Sequence, residues 1–260
     1  MSTRARQYDA QVLQRARVSD HLVRLVLGGP GLAGFESTGI PDEWVGLVVP
    51  GQFQSRYYTV RSWTPSRGGG ELTLDVVVHD VGLVTTWASG DCVGDQVTIT
   101  EAKGSFSMPG AAAWLILVGD LTAMPAMARI GTSVSVPTYV WAEVPDDLSD
   151  YLPTYTSIHW LDQPHDGESR LASVVESIDW PDGDGYFWMA GESAQMRAIR
   201  KHLMRDRRLP STSYDVMGYW RGVTARQPRA VDPGPIWRAG KAAGKNDDQI
   251  WADYDEARTP

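Results

Sequence analysis

The spacing of apolar residues changes near Pro109-Gly110, and this change restricts the fold of the chain more than any other sequence feature. Before it, short stretches of alternating apolar and polar residues are separated by turns that contain glycine or proline, as in "HLVRLVLGG" and "ELTLDVVVH". Short strands at this spacing, with little helical periodicity between them, predict an antiparallel β-barrel.

After Pro109-Gly110, candidate strands alternate with candidate helices. The apolar run "WLILVG" is typical of a strand buried on both faces, and "TAMPAMARI" predicts a helix with Thr122 as its N-cap and Pro125 in its first turn. Further strands are predicted at "PTYVWAEV", "TSIHWLD", "GYFWMAG" and "YDVMGYW", and further helices at "ESRLASVVESI" and "SAQMRAIRKHLMRD". This alternation indicates an open, mostly parallel α/β sheet.

We therefore expect a β-barrel domain over residues 1–109, an α/β domain over residues 110–222 and a C-terminal tail over residues 223–260. Around the tail, residues 221–245 hold six lysines and arginines against one aspartate, whereas residues 246–256 hold five acidic residues and no basic one. The stretch "DDQIWADYDEAR" is compatible with a terminal helix. A solvated end without a specific role and a functional segment both fit this composition.

The bulk charge and the rare residue types exclude several classes of function. A net charge of −8 and a pI of about 5.1 argue against general affinity for nucleic acid or anionic membranes, so an anionic ligand needs a local positive patch. The single cysteine, Cys92, excludes an intrachain disulfide and a cysteine-held iron–sulfur cluster. The five histidines form no H-x-H or H-x-x-x-H pair, so we expect no metal held by the protein.

No segment of the sequence predicts a membrane anchor or a signal peptide. The longest apolar run, "AAAWLILV" from Ala111 to Val118, is too short to span a bilayer, and the first residues, "MSTRARQYDAQ", contain no apolar core segment. We therefore expect a cytoplasmic protein.

The stretch "RYYTVR", Arg56 to Arg61, combines cations, aromatic rings and a hydroxyl on one predicted strand. Because alternate residues of a strand share a face, two sets of side chains are expected to point in opposite directions. One set contains Arg56, Tyr58 and Val60, and the other contains Tyr57, Thr59 and Arg61. A guanidinium beside an aromatic ring suits a ligand with a phosphate and a flat ring. The alternative is ordinary cross-strand pairing on a barrel wall.

The stretch "HDVGLVTTWA", from His79, suggests a second binding element. Gly82 allows a turn, and Thr85 and Thr86 precede Trp87 at the predicted start of a short helix. Free N–H groups and hydroxyls at such a start form a cradle for an anion. A capped turn without a ligand is the alternative.

Three further motifs follow predicted strands of the α/β region. Gly119-Asp120 in "LVGDLTAMPA" and Gly191-Glu192 in "WMAGESAQMR" directly follow buried strands, where open α/β sheets bind ligands, although tight strand-to-helix connections also explain them. No G-x-G-x-x-G is present, so no Rossmann fingerprint is inferred. In "GYWRG", the Tyr219-Trp220-Arg221 stretch either stacks on or gates a planar group, or Trp220 fills the gap between the domains.

In this order, the motifs closely resemble those of the siderophore-interacting protein family, which comprises FAD-dependent ferric-siderophore reductases of the ferredoxin-reductase-like superfamily. The resemblance extends from about Arg15 to Gly222. It implies an antiparallel Greek-key barrel that binds FAD non-covalently, followed by a Rossmann-like, mostly parallel nucleotide-binding sheet. It also implies reduction of a ferric siderophore to release Fe(II), with NADH, NADPH or reduced ferredoxin as the electron donor.

The resemblance also implies roles for single residues. Arg56 would meet the FAD pyrophosphate, Tyr58 would lie against the isoalloxazine and Thr59 would contact its ring edge, while His79 would line the flavin. Gly82 to Trp87 would hold the diphosphate side. The complete set of predicted cofactor residues is Arg56, Tyr57, Tyr58, Thr59, Val60, His79, Gly82, Val84, Thr85, Thr86, Trp87, Asp120, Thr122, Glu192 and Trp220.

For the anionic substrate, the basic candidates are Arg221 and Arg226, with Lys103 from "EAKGSF". Arg229 is a further candidate, and surface solubility is the alternative role for Arg229 and Lys103. Outer-sphere electron transfer requires no catalytic acid or base, so none is predicted.

The sequence departs from the family pattern at three places. Gly46 in "WVGLVVP" stands where relatives commonly have a lysine of the basic substrate surface, which puts the usual substrate site in doubt. Leu121 replaces a common acidic residue. "GYWRG" with a long tail resembles the subgroup in which NADH or reduced ferredoxin is the donor rather than NADPH.

Two other functions share some of these motifs. One is a general flavin reductase or the electron-transfer component of an oxygenase, and the other is a siderophore-binding module without enzymatic activity. The predicted partners are a ferric siderophore and, for one donor, ferredoxin. The oligomeric state stays open, with a monomer favoured.

Overall fold

The computed structural model describes residues 6–52, 54–79, 82–163 and 169–221, together with Ala239 and Ala243, and its N-terminal part closes into a six-stranded barrel. The strands are β1 (Gln7–Arg17), β2 (Leu22–Gly28), β3 (Trp44–Val48), β4 (Arg56–Ser66), β5 (Gly69–Val77) and β6 (Gln96–Thr100). They pair antiparallel in the order β1-β2-β5-β4-β3-β6, and β6 pairs with β1 to close the barrel. The predicted antiparallel Greek-key barrel is confirmed.

Alternation of side chains along these strands creates the barrel core. Leu25, Leu27, Leu47, Leu72 and Leu74 are completely buried inside it. Burying a leucine side chain of this kind contributes about 1.5–3 kcal/mol. A short helix, α1 (Leu83–Ser89), adds Val84 and Ala88 to this core. The sequence placed the start of this helix near Thr85-Thr86, but the helix begins at Leu83, directly after Gly82, whose φ of 139° suits glycine.

The second part is a five-stranded parallel sheet, which confirms the predicted α/β fold. Its strands are β7 (Leu115–Asp120), β8 (Thr138–Val144), β9 (Ser157–Asp162), β10 (Tyr186–Glu192) and β11 (Tyr214–Trp220), in the order β11-β10-β7-β8-β9. The helices are α2 (Met124–Ser133), α3 (Leu171–Ser177) and α4 (Ser193–Lys201), and a π-helical turn, His202–Asp206, extends α4. The helix α2 covers one face of the sheet, and α3 and α4 cover the other.

The prediction that Thr122 caps the helix after β7 is wrong. Asp120 is the cap, and its Oδ1 accepts a hydrogen bond from the Thr122 N–H at 2.9 Å, at the start of a 3-10 turn over Leu121–Ala123. The helix α2 then begins at Met124. The carboxylate takes this position because it also accepts from the Thr122 hydroxyl, at 2.5 Å, so that one side chain satisfies two donors.

Buried polar contacts join the barrel to the sheet. Arg129 of α2 donates from Nη1 to the Val60 carbonyl in β4 at 2.6 Å, and to Oε1 of the completely buried Glu43 at 3.1 Å. Ser105 donates its hydroxyl to Asp215 at the start of β11 at 2.6 Å. These contacts hold the sheet against the strand that carries the "RYYTVR" motif.

The domain limits at residues 109 and 222 stay predictions, as does the tail. Residues 1–221 form one compact unit, and residues 222–260 form a second. The tail from residue 223, with Arg226, Arg229 and the predicted terminal helix, lies outside the described residues except for Ala239 and Ala243. In the part of the chain that the structure describes, no helix is both long and apolar enough to cross a bilayer, and no group of His, Cys, Asp or Glu side chains is arranged to hold a metal ion.

Replacing Arg129 by alanine is expected to lower the free energy of unfolding by about 3–5 kcal/mol, because Glu43 would lose the cation that partners it in the interior. Urea denaturation measures this quantity. Arg67→Ala, in the exposed turn between β4 and β5, is the control and should change it by about 0.5 kcal/mol or less. Equal effects of the two substitutions would contradict the assigned role of Arg129.

Candidate functional site

The first residues of β4 form one wall of the candidate site. Arg56 is exposed and makes no ion pair within the described residues, and Tyr57 exposes 69% of its surface. Tyr58 and Val60 pack on the barrel core, while Thr59 points the other way and is only 5% exposed. Both predicted faces are therefore present up to Val60. A β-bulge between Val60 and Ser62 then interrupts the alternation.

The bulge gives Arg61 a role at the junction between barrel and sheet. Its Nε lies 3.9 Å from Asp75 Oδ2, and its guanidinium lies over the Tyr151 ring, 5.5 Å from the ring centre. Tyr151 belongs to the sheet part and donates its hydroxyl to the same carboxylate. Arg61 thus stabilises the junction, and Arg56 is the cation of the motif that is accessible to a ligand.

Two buried hydroxyls meet behind this wall without satisfying each other. Thr59 Oγ1 and the Tyr219 hydroxyl are neighbours, yet neither makes a hydrogen bond of ordinary geometry. Burial raises the pKa of Tyr219. A buried polar group without a partner costs about 1–3 kcal/mol. A bound ring with nitrogen and carbonyl atoms along its edge would remove this cost, and the edge of a flavin has such atoms.

Tyr58 offers a neutral aromatic surface beside these hydroxyls. Desolvation raises its pKa to about 12, against the opposing effect of the positive charge on Arg56. The Tyr58 ring is half-buried on the barrel core, so the Tyr57 ring is the more exposed of the two. The assignment of Tyr58 to the isoalloxazine stays a prediction.

In the described part of the segment from His79 to Trp87, the polar side chains of Thr86 and Trp87 are hydrogen-bonded within the protein. Thr86 donates its hydroxyl to the Gly82 carbonyl at 2.9 Å, and Trp87 donates its indole N–H to Asp95 at 2.7 Å. Val84 and Thr85 are buried. An anion at this place would therefore meet the backbone N–H groups at the start of α1, next to the His79 ring, rather than the threonine hydroxyls.

At the carboxyl ends of β7, β10 and β11, Asp120 connects three of the predicted residues. Its Oδ2 accepts the Trp220 indole N–H at 2.6 Å, and its Oδ1 accepts from Thr122. The Glu192 N–H also donates to this carboxylate, and burial raises its pKa. Because the carboxylate is satisfied by the protein, it positions Trp220 at the edge of the sheet. Asp120, Thr122, Glu192 and Trp220 are thus brought together, although direct ligand contact by them stays a prediction.

Gly46 has no room for the lysine that the family resemblance leads one to expect. A Cβ at this position would lie 2.9 Å from Ser55 Cβ and 3.0 Å from Thr100 Cγ2. The Gly46 N–H also donates to Thr100 Oγ1 at 2.8 Å. The surrounding barrel is therefore built for glycine, and the positive charge near the site has to come from elsewhere.

The predicted substrate residues lie in two different places. Lys103 is exposed on the barrel, where its backbone bridges to Trp44. Arg221 is exposed directly after β11 and lines a groove along α4 with four other cations: Arg197, Arg200, Lys201 and Arg205. The sequence analysis missed these four, although their spacing of three and four residues in "MRAIRKHLMR" indicates one helix face. Tyr219 is part of the predicted "GYWRG" motif, but only the folded chain shows that its hydroxyl lies next to Thr59.

The closed barrel followed by the parallel sheet has the ferredoxin-reductase-like fold. Residues 50–106 match the family model of the siderophore-interacting FAD-binding domain, and residues 112–222 match that of the siderophore-interacting protein. The chain belongs to the siderophore-interacting protein family.

Named relatives and a solved structure agree with this family. The ferric vibriobactin reductase ViuB of Vibrio cholerae is 31% identical over 244 residues, which cover 80% of this chain and 87% of the relative. The NADPH-dependent ferric-chelate reductase of Escherichia coli is 26% identical, over 80% of this chain and 91% of the relative. A siderophore utilization protein from T. fusca matches with a TM-score of 0.70 and 26% identity, over 85% of this chain and 94% of that protein.

Gly46→Ala is expected to lower the free energy of unfolding by about 1–3 kcal/mol, because the added methyl group would displace Ser55 and Thr100. Thermal or urea denaturation measures the change. Gly68→Ala is the matched control, since a Cβ there meets no atom within 4 Å and the residue is exposed in a turn. If Gly46→Ala were as stable as Gly68→Ala, a side chain could be accommodated at position 46.

Proposed function

We propose that this protein binds FAD non-covalently and reduces Fe(III) in a ferric siderophore, so that Fe(II) is released. Two observations carry the proposal. The buried hydroxyls of Thr59 and Tyr219 lack hydrogen-bond partners of ordinary geometry. Arg56, on the same strand as Thr59 and in the segment that matches the FAD-binding domain of the family, is exposed and makes no ion pair within the described residues. The names of the Vibrio cholerae and Escherichia coli relatives, both reductases of ferric chelates, support the same reaction.

The residues of β4 and α1 would hold the cofactor by complementary chemistry. Arg56 would donate charge-assisted hydrogen bonds to the pyrophosphate, and Thr59 and Tyr219 would bond the edge of the flavin ring. Tyr57, Tyr58, Val60 and His79 would line the ring, and the segment from Gly82 to Trp87, with Val84, Thr85 and Thr86, would present its backbone N–H groups to the phosphates. The proposed domain limits are residues 1–109 for the barrel and 110–222 for the sheet.

When bound, FAD supplies the ability to take up two electrons from a nicotinamide and to pass them singly to iron. Fe(II) is bound less tightly than Fe(III) by oxygen-rich chelators, because its lower charge weakens bonds to hard ligands. Within the described residues, Tyr58 is held neutral by its raised pKa and Asp120 is occupied by Thr122 and Trp220. Neither of these two side chains is therefore assigned a role as acid or base, and we propose that both position the reactants.

For the electron donor, we propose NADH. A cavity of about 340 Å³ lies at the carboxyl ends of β8 and β9. Among the described residues, its lining includes Asp146, Asp147, Asp162 and Trp160 and no lysine or arginine. Asp146 is paired with His21 at 2.7 Å, so we assign the contact with a ribose to Asp162. Open α/β sheets bind the adenosine half of a dinucleotide at this edge, where a carboxylate favours a ribose hydroxyl and repels a 2′-phosphate. Trp160, which is 39% exposed, provides a surface for the adenine.

In anaerobic titrations of the FAD-loaded protein, NADH is expected to bleach the flavin at a concentration at least about tenfold lower than NADPH, because a 2′-phosphate would meet the carboxylates of this cavity. Asp162→Asn should improve the reaction with NADPH, and Asp182→Asn, on an exposed loop outside the cavity, should not. Faster bleaching by NADPH, or bleaching by reduced ferredoxin alone, would contradict the assignment.

Arg56→Ala is expected to weaken FAD binding by roughly 1.5–3 kcal/mol, because it removes a charge-assisted hydrogen bond to phosphate. Titration of the apoprotein with FAD, followed by flavin fluorescence, gives the dissociation constant. Arg67→Ala, at the other end of the hairpin, should leave the constant unchanged. Unchanged binding in Arg56→Ala would make Arg56 a purely structural residue.

The reaction itself is tested by following Fe(II) with a chromogenic trap during turnover with a ferric chelate, in parallel with the reduction of free flavin. Trapped Fe(II) at a rate above that of free-flavin reduction is the expected result. Preferential reduction of free flavin would identify a general flavin reductase or an oxygenase electron-transfer component. A colourless protein that takes up no FAD but binds a ferric siderophore would be a binding module.

A further inference from the structure

A groove lined mainly by cations runs along α4 and the edge of β11, and we call it the α4 groove. Its volume is about 720 Å³, and its basic residues are Arg197, Arg200, Lys201, Arg205 and Arg221. Three of them belong to α4 and a fourth to the following π-helical turn, so they project from one continuous helical face. Among the described residues, no acidic side chain lines the groove.

The cations of the α4 groove are not neutralised by the described part of the protein. Arg200 donates to the Val216 carbonyl at 2.5 Å, which holds it on β11 but leaves its charge unpaired, and the other four make no ion pair among these residues. Elsewhere, Arg17, Arg24 and Arg129 are paired with carboxylates. The negative end of the helix dipole stabilises cations in the last turn of α4, which explains why Arg200 and Lys201 are tolerated there. It does not explain the unpaired charges of Arg197 and Arg221.

The α4 groove reaches the end of β11, the strand that also carries Tyr219 and Trp220. Gly218 of β11 lines the groove and packs so closely on α4 that a Cβ would collide with Ser193 and Met196. Tyr219 and Trp220 follow, and their polar atoms face Thr59 and Asp120. Arg221 then returns to the groove. The strand end that carries the groove therefore also forms part of the wall of the flavin site.

From this arrangement we infer that the α4 groove binds the ferric chelate through its negative charges, and that the substrate is a polyanionic, catecholate-type chelate. This inference rests on the proposed function. Fe(III) held by three dianionic catecholates is a trianion, whereas a tris-hydroxamate complex is neutral and gains little from several cations. The volume lies within the range of about 300–1,000 Å³ that is usual for small-molecule sites. Met196 and Met204 add polarizable surface for aromatic rings.

The test compares the double variant Arg197→Gln/Lys201→Gln with the matched control Arg6→Gln/Arg67→Gln, which removes two exposed cations of the barrel. In the variant, KM for a ferric tris-catecholate should rise about tenfold, because two charged contacts are lost, while kcat and the KM for a neutral ferric tris-hydroxamate stay unchanged. The control should match the wild type. Melting temperatures verify that all four substituted side chains are dispensable for folding.

A second measurement separates this inference from the proposed function. The gallium(III) tris-catecholate has the same charge and shape but is not reduced, so calorimetric binding to the FAD-loaded protein needs no electron transfer. Wild-type binding that weakens about tenfold in Arg197→Gln/Lys201→Gln supports the inference even if no ferric chelate is reduced. Equal binding by the two proteins would overturn it. The inference would also be overturned if the only defect of Arg197→Gln/Lys201→Gln were a raised KM for NADH or slower reduction by an acidic electron-carrier protein.

Discussion

The position of Arg129 is the constraint on which the site depends. Its guanidinium donates to the Val60 carbonyl in β4 and pairs with Glu43, which is completely buried. Moving α2 away from β4 would leave a charge unpaired in the interior, and this penalty is large compared with the net stability of a domain. Asp120 is the last residue of β7, and a single 3-10 turn separates it from α2, so α2 and the carboxylate that holds Trp220 are placed together.

This junction explains why a binding site forms between two structures that are each complete in themselves. The barrel closes its own hydrogen-bond ladder, and the sheet buries both of its faces under helices. Among the buried polar atoms that have no hydrogen-bond partner, the hydroxyls of Thr59 and Tyr219 lie next to each other. A buried group without a partner is costly in a core, and Thr59 belongs to the segment that matches the family's FAD-binding domain.

The distribution of positive charge distinguishes this chain from the pattern expected for its family. Ser55 and Thr100 occupy the space that a side chain at Gly46 would need, so the barrel wall contributes no lysine there. The cations are instead grouped on α4 and directly after β11. For a protein with a net charge of −8, such a local group is what allows an anionic ligand to approach. Its place next to Tyr219 and Trp220 connects charge recognition to the proposed site of electron transfer.

Much of the architecture could be predicted because hydrophobic periodicity is a local property. Alternation in "ELTLDVVVH" and the continuous apolar run "WLILVG" correctly indicated the barrel and the buried sheet. The hydrogen-bond partners were harder to predict from the sequence, because several side chains compete for the same donors. Asp120 rather than Thr122 became the cap, and the bulge after Val60 gave Arg61 a structural role. For the site, the motifs singled out Arg56, Thr59 and the Tyr219-Trp220 pair as candidates, but gave no sign that the Tyr219 hydroxyl faces Thr59.

The sequence by itself thus determined the two-part architecture, the family and the strand on which the candidate site is built, because periodicity and short motifs act within a few residues. The tertiary structure alone decided which groups face one another. Thr59 meets Tyr219, Asp120 meets Trp220, and Arg221 joins the cations of α4. These meetings depend on how the barrel docks on the sheet, and that docking is determined by buried charges and packing between residues far apart in the chain.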